Sequence, residues 1–185
     1  MSSWPHRWGA TRDEHDREFR ADTVVRGPAV RMTRAVTVAA PARLMFRWVC
    51  QLSVAPYSYD LVDNGGRQSP RTLTPGADAV RTGQQVLGMF EVTGVRPGTE
   101  LTLRGLPRAA RLFGDLAMTY VVEPRPGSTS RLLCRLVTAA PGPVARARAE
   151  LLAWGDLVMM RKQLRTLQGL AERDARADRP AVDPG

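Results

Sequence analysis

The chain has 185 residues, 43% hydrophobic and 24% charged, which is the profile of one globular domain with a well-buried core. No apolar run approaches the roughly 18–20 residues that span a bilayer, so no membrane insertion is expected. The net charge is +9, and all but one of the 27 basic residues are arginine, Lys162 being the exception.

Alanine, glycine, proline and valine are heavily used as well, so the arginine excess reads as the codon bias of a GC-rich genome. The arginines are also dispersed, the densest group being Arg104, Arg108 and Arg111. A phosphate-binding protein gathers its cations on one face, so no nucleic-acid partner is expected.

In chain order, residues 1–29 read as a polar N-terminal arm, with a short helix in TRDEHDREFRAD ended by Gly27-Pro28. The opening MSSWPHRWGATRDEHDREFR lacks the apolar stretch of a secretory signal, which points to the cytoplasm. From Val30, VRMTRAVTVAA alternates as a strand, with Val36 and Val38 on one side. Pro41 opens a helix, PARLMFRWVCQL, whose Leu44, Met45, Trp48, Val49 and Leu52 form one apolar face.

Next comes PYSYDLVDNGG. Ser58 is placed to cap a short helix over Tyr59–Asn64, which Gly65-Gly66 would end. Asp60 and Asp63 lie one turn apart on such a helix, face the same way and cannot straddle a bond. They read as capping or ion-pairing residues, and a tyrosine here as part of a binding lip. RQSPRTLTPGADAV is a loop by composition.

The middle of the chain is strand after strand: QQVLGMFEVTGVR, TELTLRG, DLAMTYVVEP and SRLLCRLVTAA. Turns at Pro97-Gly98 and Pro126-Gly127-Ser128 imply antiparallel neighbours, and Gly105-Leu106-Pro107 starts a longer connection. From Pro143 the period changes to that of one long helix. Ala153, Leu157, Met160, Leu164, Leu167 and Ala171 form its stripe, which Leu151, Trp154 and Val158 widen. Gly155 in its middle implies close packing or a bend. The segment 176–185 reads as a flexible tail.

The order predicts an α+β fold in which a curved antiparallel sheet wraps a long C-terminal helix, with two short helices after the first strand. Such a wrap leaves space for a pocket. Cys50 and Cys134 read as buried free thiols. His6 and His15, the only histidines, both lie in the arm, which takes histidine out of the core and argues against a zinc site. Nucleotide and hydrolase motifs such as G-x-G-x-x-G, the Walker loop and G-x-S-x-G are absent, so no cofactor or metal is expected.

Four passages in this order resemble the SRPBCC superfamily, the START-like helix-grip group that includes proteins labelled polyketide cyclase/dehydrase or lipid transport. They are TRAVTVAAPARLMFRWVCQL, YSYDLVDN, VTGVRPGTELTLR and GDLVMMRKQLRTLQGLAE, and WGATRDE resembles the arm of one bacterial subgroup. The resemblance spans residues 8–175, with the domain proper at 30–175. It departs at Phe46, where the subgroup has tryptophan, at SVAP before the YSYD element, and at Asp63, whose acid is shorter and displaced.

The resemblance implies a helix-grip fold that holds an apolar or amphipathic molecule, lipid-, polyketide- or isoprenoid-like, between sheet and terminal helix. The candidate ligand-binding residues are Trp48, Met118, Tyr120, Trp154 and Val158, with Tyr57 and Tyr59 at the mouth. For each apolar residue the plain alternative is core packing. No catalytic residue is assigned. A cyclase or dehydratase would need an inward Arg or Asp beside a tyrosine, for which Arg104, Asp115 and Tyr120 are the candidates. The expected partner is an apolar small molecule, and the chain would be a monomer or homodimer.

Overall fold

A computed structural model describes residues 4–58 and 68–178. The alternating segments become strands β1 (Arg7–Trp8), β2 (Ala29–Val38), β3 (Gln85–Val86), β4 (Phe90–Arg96), β5 (Glu100–Gly105), β6 (Leu116–Arg125) and β7 (Thr129–Ala139). They form one sheet in the order β1-β2-β7-β6-β5-β4-β3. Every pairing is antiparallel except that of β1 with β2.

The helices are α1 (Arg12–Asp16), α2 (Arg20–Val24), α3 (Ala42–Cys50), α4 (Pro107–Phe113) and α5 (Pro143–Ala177). Pro143 starts α5, as the missing N–H of proline favours. The helix lies across the concave side of the sheet. Its buried Ala153, Leu157, Met160, Leu164, Leu167 and Ala171 are the stripe read from the sequence. All of these but Leu157 meet Met32, Val36 and Val38 of β2, Leu103 of β5, Met118 and Val122 of β6, and Leu132 and Leu136 of β7 in one core cluster. Cys50 and Cys134 are buried free thiols.

Three expectations are corrected. QQVLGMFEVTGVR is not one strand but two, β3 and β4, because Leu87 and Gly88 take successive positive φ values of 53° and 64° and fold the chain into a hairpin. The connection after Gly105 holds a helix, α4, with Pro107 in its first turn. Gly155 is neither closely packed nor crowded, since a Cβ added there would meet nothing within 4 Å.

The arm is the largest departure from the plain reading of residues 1–29. It adds β1 to the sheet edge and lays α1 and α2 over the convex face. There Phe19 packs with Ala35 and Leu133, and Ala21 and Val25 pack with Ala117 and Val137. Thr11 caps α1 reciprocally with Glu14: the Glu14 N–H donates to Thr11 Oγ1 at 3.1 Å and the Thr11 N–H to Glu14 Oε2 at 2.8 Å. Gly9, at φ +69°, sits so close to β2 that a Cβ would lie 2.1 Å from the Ala35 carbonyl oxygen.

Candidate functional site

On β6, alternation turns Met118 and Tyr120 to the concave side, where Trp48 from α3 and Tyr57 also arrive, all four buried. The Trp48 and Tyr57 rings meet edge to face with centroids 6.0 Å apart. The Trp48 indole N–H donates to Asp174 Oδ2 on α5 at 3.1 Å. The Tyr120 hydroxyl donates to Gln163 Oε1 at 2.6 Å, and Gln163 Nε2 donates to the Pro56 carbonyl at 2.7 Å. One relay of side chains therefore ties the sheet to α5 and α5 to the segment that leads into Tyr57. Burial, then the nearby Cys134 and Asp156, hold the Tyr120 phenol well above its ordinary value, so it acts as a hydrogen-bond donor and not as an anion.

Beside this relay lies a buried ion pair, Arg34 on β2 with Asp156 on α5, at 2.8 Å and with side chains only 1% and 5% exposed. Arg34 also donates to the Ala153 carbonyl at 3.2 Å and the Thr33 carbonyl at 3.3 Å. Burial pushes the Asp156 carboxyl up to about 6, against the opposing pull of Arg34. The Cys134 thiol is raised by burial in the same interior, which makes it inert.

Arg34, Asp156 and Gln163 were missed in reading the sequence, although each carried a signal. Arg34 occupies the inward phase of the alternation Met32, Arg34, Val36, Val38. Asp156 and Gln163 fall within the apolar stripe of α5, each three residues from a buried stripe residue. Polar groups in apolar phase are the ones that must find partners inside.

One open space lies where α3, the end of α5 and two strand turns come together. It is a cleft of about 960 Å³ with Leu44, Phe46 and Ala175 on its apolar walls. Pro97-Gly98 of the β4–β5 turn and Ser128 of the β6–β7 turn close the far side. Arg43, Arg47, Asp78 and Asp178 border it, and Arg47 Nε lies 3.5 Å from Asp78 Oδ2. Size and composition fit a small-molecule site: an apolar floor with a few charged groups at the edge.

The other predicted residues are not brought to the interior. Trp154 and Val158 are 52% and 54% exposed and stand on the outer face of α5, so they line no space between helix and sheet. They, like Leu151, follow the buried stripe too far around the helix, onto the side turned away from Ala153, Met160 and Leu164. Arg104 and Asp115 pair with each other at 3.1 Å on the exposed convex side, away from the Tyr120 hydroxyl. Tyr59, Asp60, Asp63 and the helix expected over 59–64 lie outside the described residues.

No family model matches the chain, and no curated protein matches it either. Solved structures do. The Zhui aromatase/cyclase from Streptomyces sp. R1128 superposes with a TM-score of 0.51 at 19% identity, over 81% of this chain and 98% of that one. A protein of Nitrosospira multiformis gives a TM-score of 0.53 at 11% identity, over 79% and 99%. The chain has the helix-grip fold. The di-domain ARO/CYC StfQ from the steffimycin biosynthetic pathway shares this helix-grip architecture at a TM-score of 0.51 and 13% identity, over 80% of this chain. This chain spans only 52% of StfQ. In the helix-grip frame α5 is the gripped helix, the Tyr120–Gln163–Pro56 relay and the Arg34–Asp156 pair hold it, and the cleft opens beside its last turn.

Proposed function

We propose that this helix-grip protein binds an apolar or amphipathic small molecule, and that the cleft between α3 and the end of α5 is where the molecule enters and lodges. The observation that carries this reading is the cleft itself: about 960 Å³, walled by Leu44, Phe46 and Ala175, with the guanidinium groups of Arg43 and Arg47 at its edge. Apolar walls take the body of the ligand and the arginines take an anionic or carbonyl end. Binding without turnover is favoured because the inward polar groups already serve one another. Tyr120 is engaged by Gln163, and Arg34 by Asp156.

The test uses the fluorescent apolar probe N-phenyl-1-naphthylamine and its displacement by long-chain fatty acids. Leu44→Trp, at a half-buried position on the cleft wall, should weaken probe binding about tenfold by filling the space. Tyr120→Phe should leave it unchanged. No probe binding by the wild type, or equal binding by Leu44→Trp, would sink the reading.

A second reading, a cyclase- or dehydratase-like enzyme, has one observation in its favour. Tyr120 shares the concave interior with an inward arginine and aspartate, and the charge of Asp156 reaches the phenol. Turnover of a poly-β-keto thioester by the wild type, abolished in Tyr120→Phe while probe binding persists, would select it.

A further inference from the structure

The outer face of α5 carries side chains that the grip does not use. Val144, Leu151, Trp154 and Val158 are 83%, 75%, 52% and 54% exposed. At about 100° per residue they fall on one stripe, turned away from the buried Ala153, Met160 and Leu164. The stripe continues toward the C-terminus as exposed Lys162 and Arg165, with Arg161 alongside.

The arm extends this surface. Trp4, 47% exposed, lines a groove of about 360 Å³ with Trp154, Val158 and the three cations. The Trp8 ring lies under the Arg161 and Arg165 guanidinium groups at 5.8 and 5.5 Å. His6 Nε2 stands 3.0 Å from Glu150 Oε2, which ties the arm to the helix. Among the described residues the carboxylates near the stripe are engaged elsewhere: Glu150 faces His6 at its edge, Asp156 turns inward to Arg34, and Glu172, two turns beyond Arg165, accepts from the Ala39 N–H and Gln168 Nε2.

We infer that this face is a peripheral docking surface for an anionic lipid bilayer. Trp4, Leu151, Trp154 and Val158 enter the interfacial layer, and Arg161, Lys162 and Arg165 meet headgroup phosphates. Exposed tryptophan and aliphatic side chains next to unopposed cations are the composition of helices that lie in a bilayer interface. No described helix is long and apolar enough to span one, so α5 lies along the surface. Charge complementarity selects this occupant. A second copy of the chain would add another set of cations without an acid, and a single small amphiphile in the groove would leave Val144 and Leu151 uncovered. The face shares no residue with the cleft beside α3, so the inference stands apart from the proposed function.

The test is co-sedimentation of the full chain with phosphatidylcholine vesicles, with and without phosphatidylglycerol. The protein should sediment with the anionic vesicles only, release as salt is raised, and shift its tryptophan emission to the blue. The Leu151→Ser/Trp154→Ser double variant should bind at least about tenfold more weakly, and Lys162→Glu should also bind more weakly. Both substitute exposed positions, so unchanged melting temperatures separate lost docking from lost folding. No sedimentation with anionic vesicles, or equal sedimentation by the double variant, overturns the inference. So does a concentration-dependent dimer that the same double variant abolishes, which would assign the face to a second copy. Binding of monomeric short-chain phosphatidylglycerol without binding of vesicles overturns it too.

Discussion

The two faces of the sheet are each closed over a buried arginine, and they solve the same problem in different ways. On the concave side Arg34 meets a carboxylate, Asp156, inside a layer sealed by the long helix. On the convex side Arg135, fully buried, reaches mostly backbone: it donates to the His15 carbonyl and, at 3.1 Å, to that of Arg17. Its guanidinium lies 4.7 Å from the centroid of the Phe19 ring, while Asp22 is 3.9 Å away. The helix closes its face with apolar area and one compensated charge. The short α1 and α2 have too little apolar area for that and rely on polar ties, among them Arg131 with Glu14 at 2.7 Å and His15 with Thr33 at 2.7 Å. A grip built on area resists change, whereas a clamp built on polar ties depends on geometry and pH.

The largest expected effect comes from breaking the concave pair. Arg34→Met leaves Asp156 buried without its partner and should cost about 3–5 kcal/mol in urea unfolding. The double variant Arg34→Met/Asp156→Leu should recover most of that loss, because the desolvation penalty goes with the charges. A double variant as unstable as the single one would mean that the pair specifies the packing of α5 rather than merely compensating its own burial.

Gly9→Ala attacks the clamp alone. At φ +69° and with its Cβ driven into the Ala35 carbonyl, the variant should lose about 1–3 kcal/mol. Hydrogen exchange should rise in residues 7–25 and stay unchanged in α5. Uniform loss of protection would show that the arm and the grip unfold as one unit.

Acid should separate the two faces, because their titrating groups are shifted in opposite directions. Asp156 titrates near 6, above its ordinary value of 3.8, so the stability it contributes is full below 3.8 and is lost as pH rises through about 6. His15 is lowered from 6.5, first by burial and then by Arg135, so its contribution is full above 6.5 and is lost as pH falls through its folded value. Glu14 is lowered from 4.5 by its bond to Arg131, and its contribution is likewise full above 4.5 and lost as pH falls further. Protection relative to the intrinsic exchange rate, measured from pH 7 to pH 4, should therefore fall in α1 and β1 while the amides of α5 around Asp156 stay protected. Asp156→Asn should remove the concave part of this contrast.

The smallest effect is a gain. Gly155→Ala and Gly169→Ala add a Cβ that meets nothing within 4 Å, so each should stabilise α5 by about 0.5–1 kcal/mol. The arm should not respond. A loss at Gly155 would show that its lack of a side chain serves the outer face of the helix.

Much of this architecture was legible because period and punctuation are local. The change of period after Pro143 marks α5, and the turns at Pro97-Gly98 and Pro126-Gly127-Ser128 mark antiparallel neighbours. Helical spacing put Trp48 on a buried face, whereas Met118 and Tyr120 were named from the resemblance and Tyr57 was set at the mouth; all four are buried. Trp154 and Val158 were misplaced because apolar residues widen a helical stripe on paper whether or not anything packs against them. The groups that organise the interior, Arg34, Asp156 and Gln163, were visible as polar residues in apolar phase, yet their partners are distant in the chain: Gln163 reaches Tyr120, 43 residues away, and Pro56, 107 residues away.

The sequence by itself determined the order of the long strands, α3 and α5, the buried stripe of α5, and the turns at Pro97-Gly98 and Pro126-Gly127-Ser128. These follow from short-range sterics and from side-chain alternation, which neighbours in sequence specify. Only the tertiary structure decided that the N-terminal segment seals the convex face, that Arg34 finds Asp156, and that a cleft remains beside α3. Each depends on which surfaces meet once the sheet curves, and that is settled by long-range burial and charge compensation, beyond the reach of any local window.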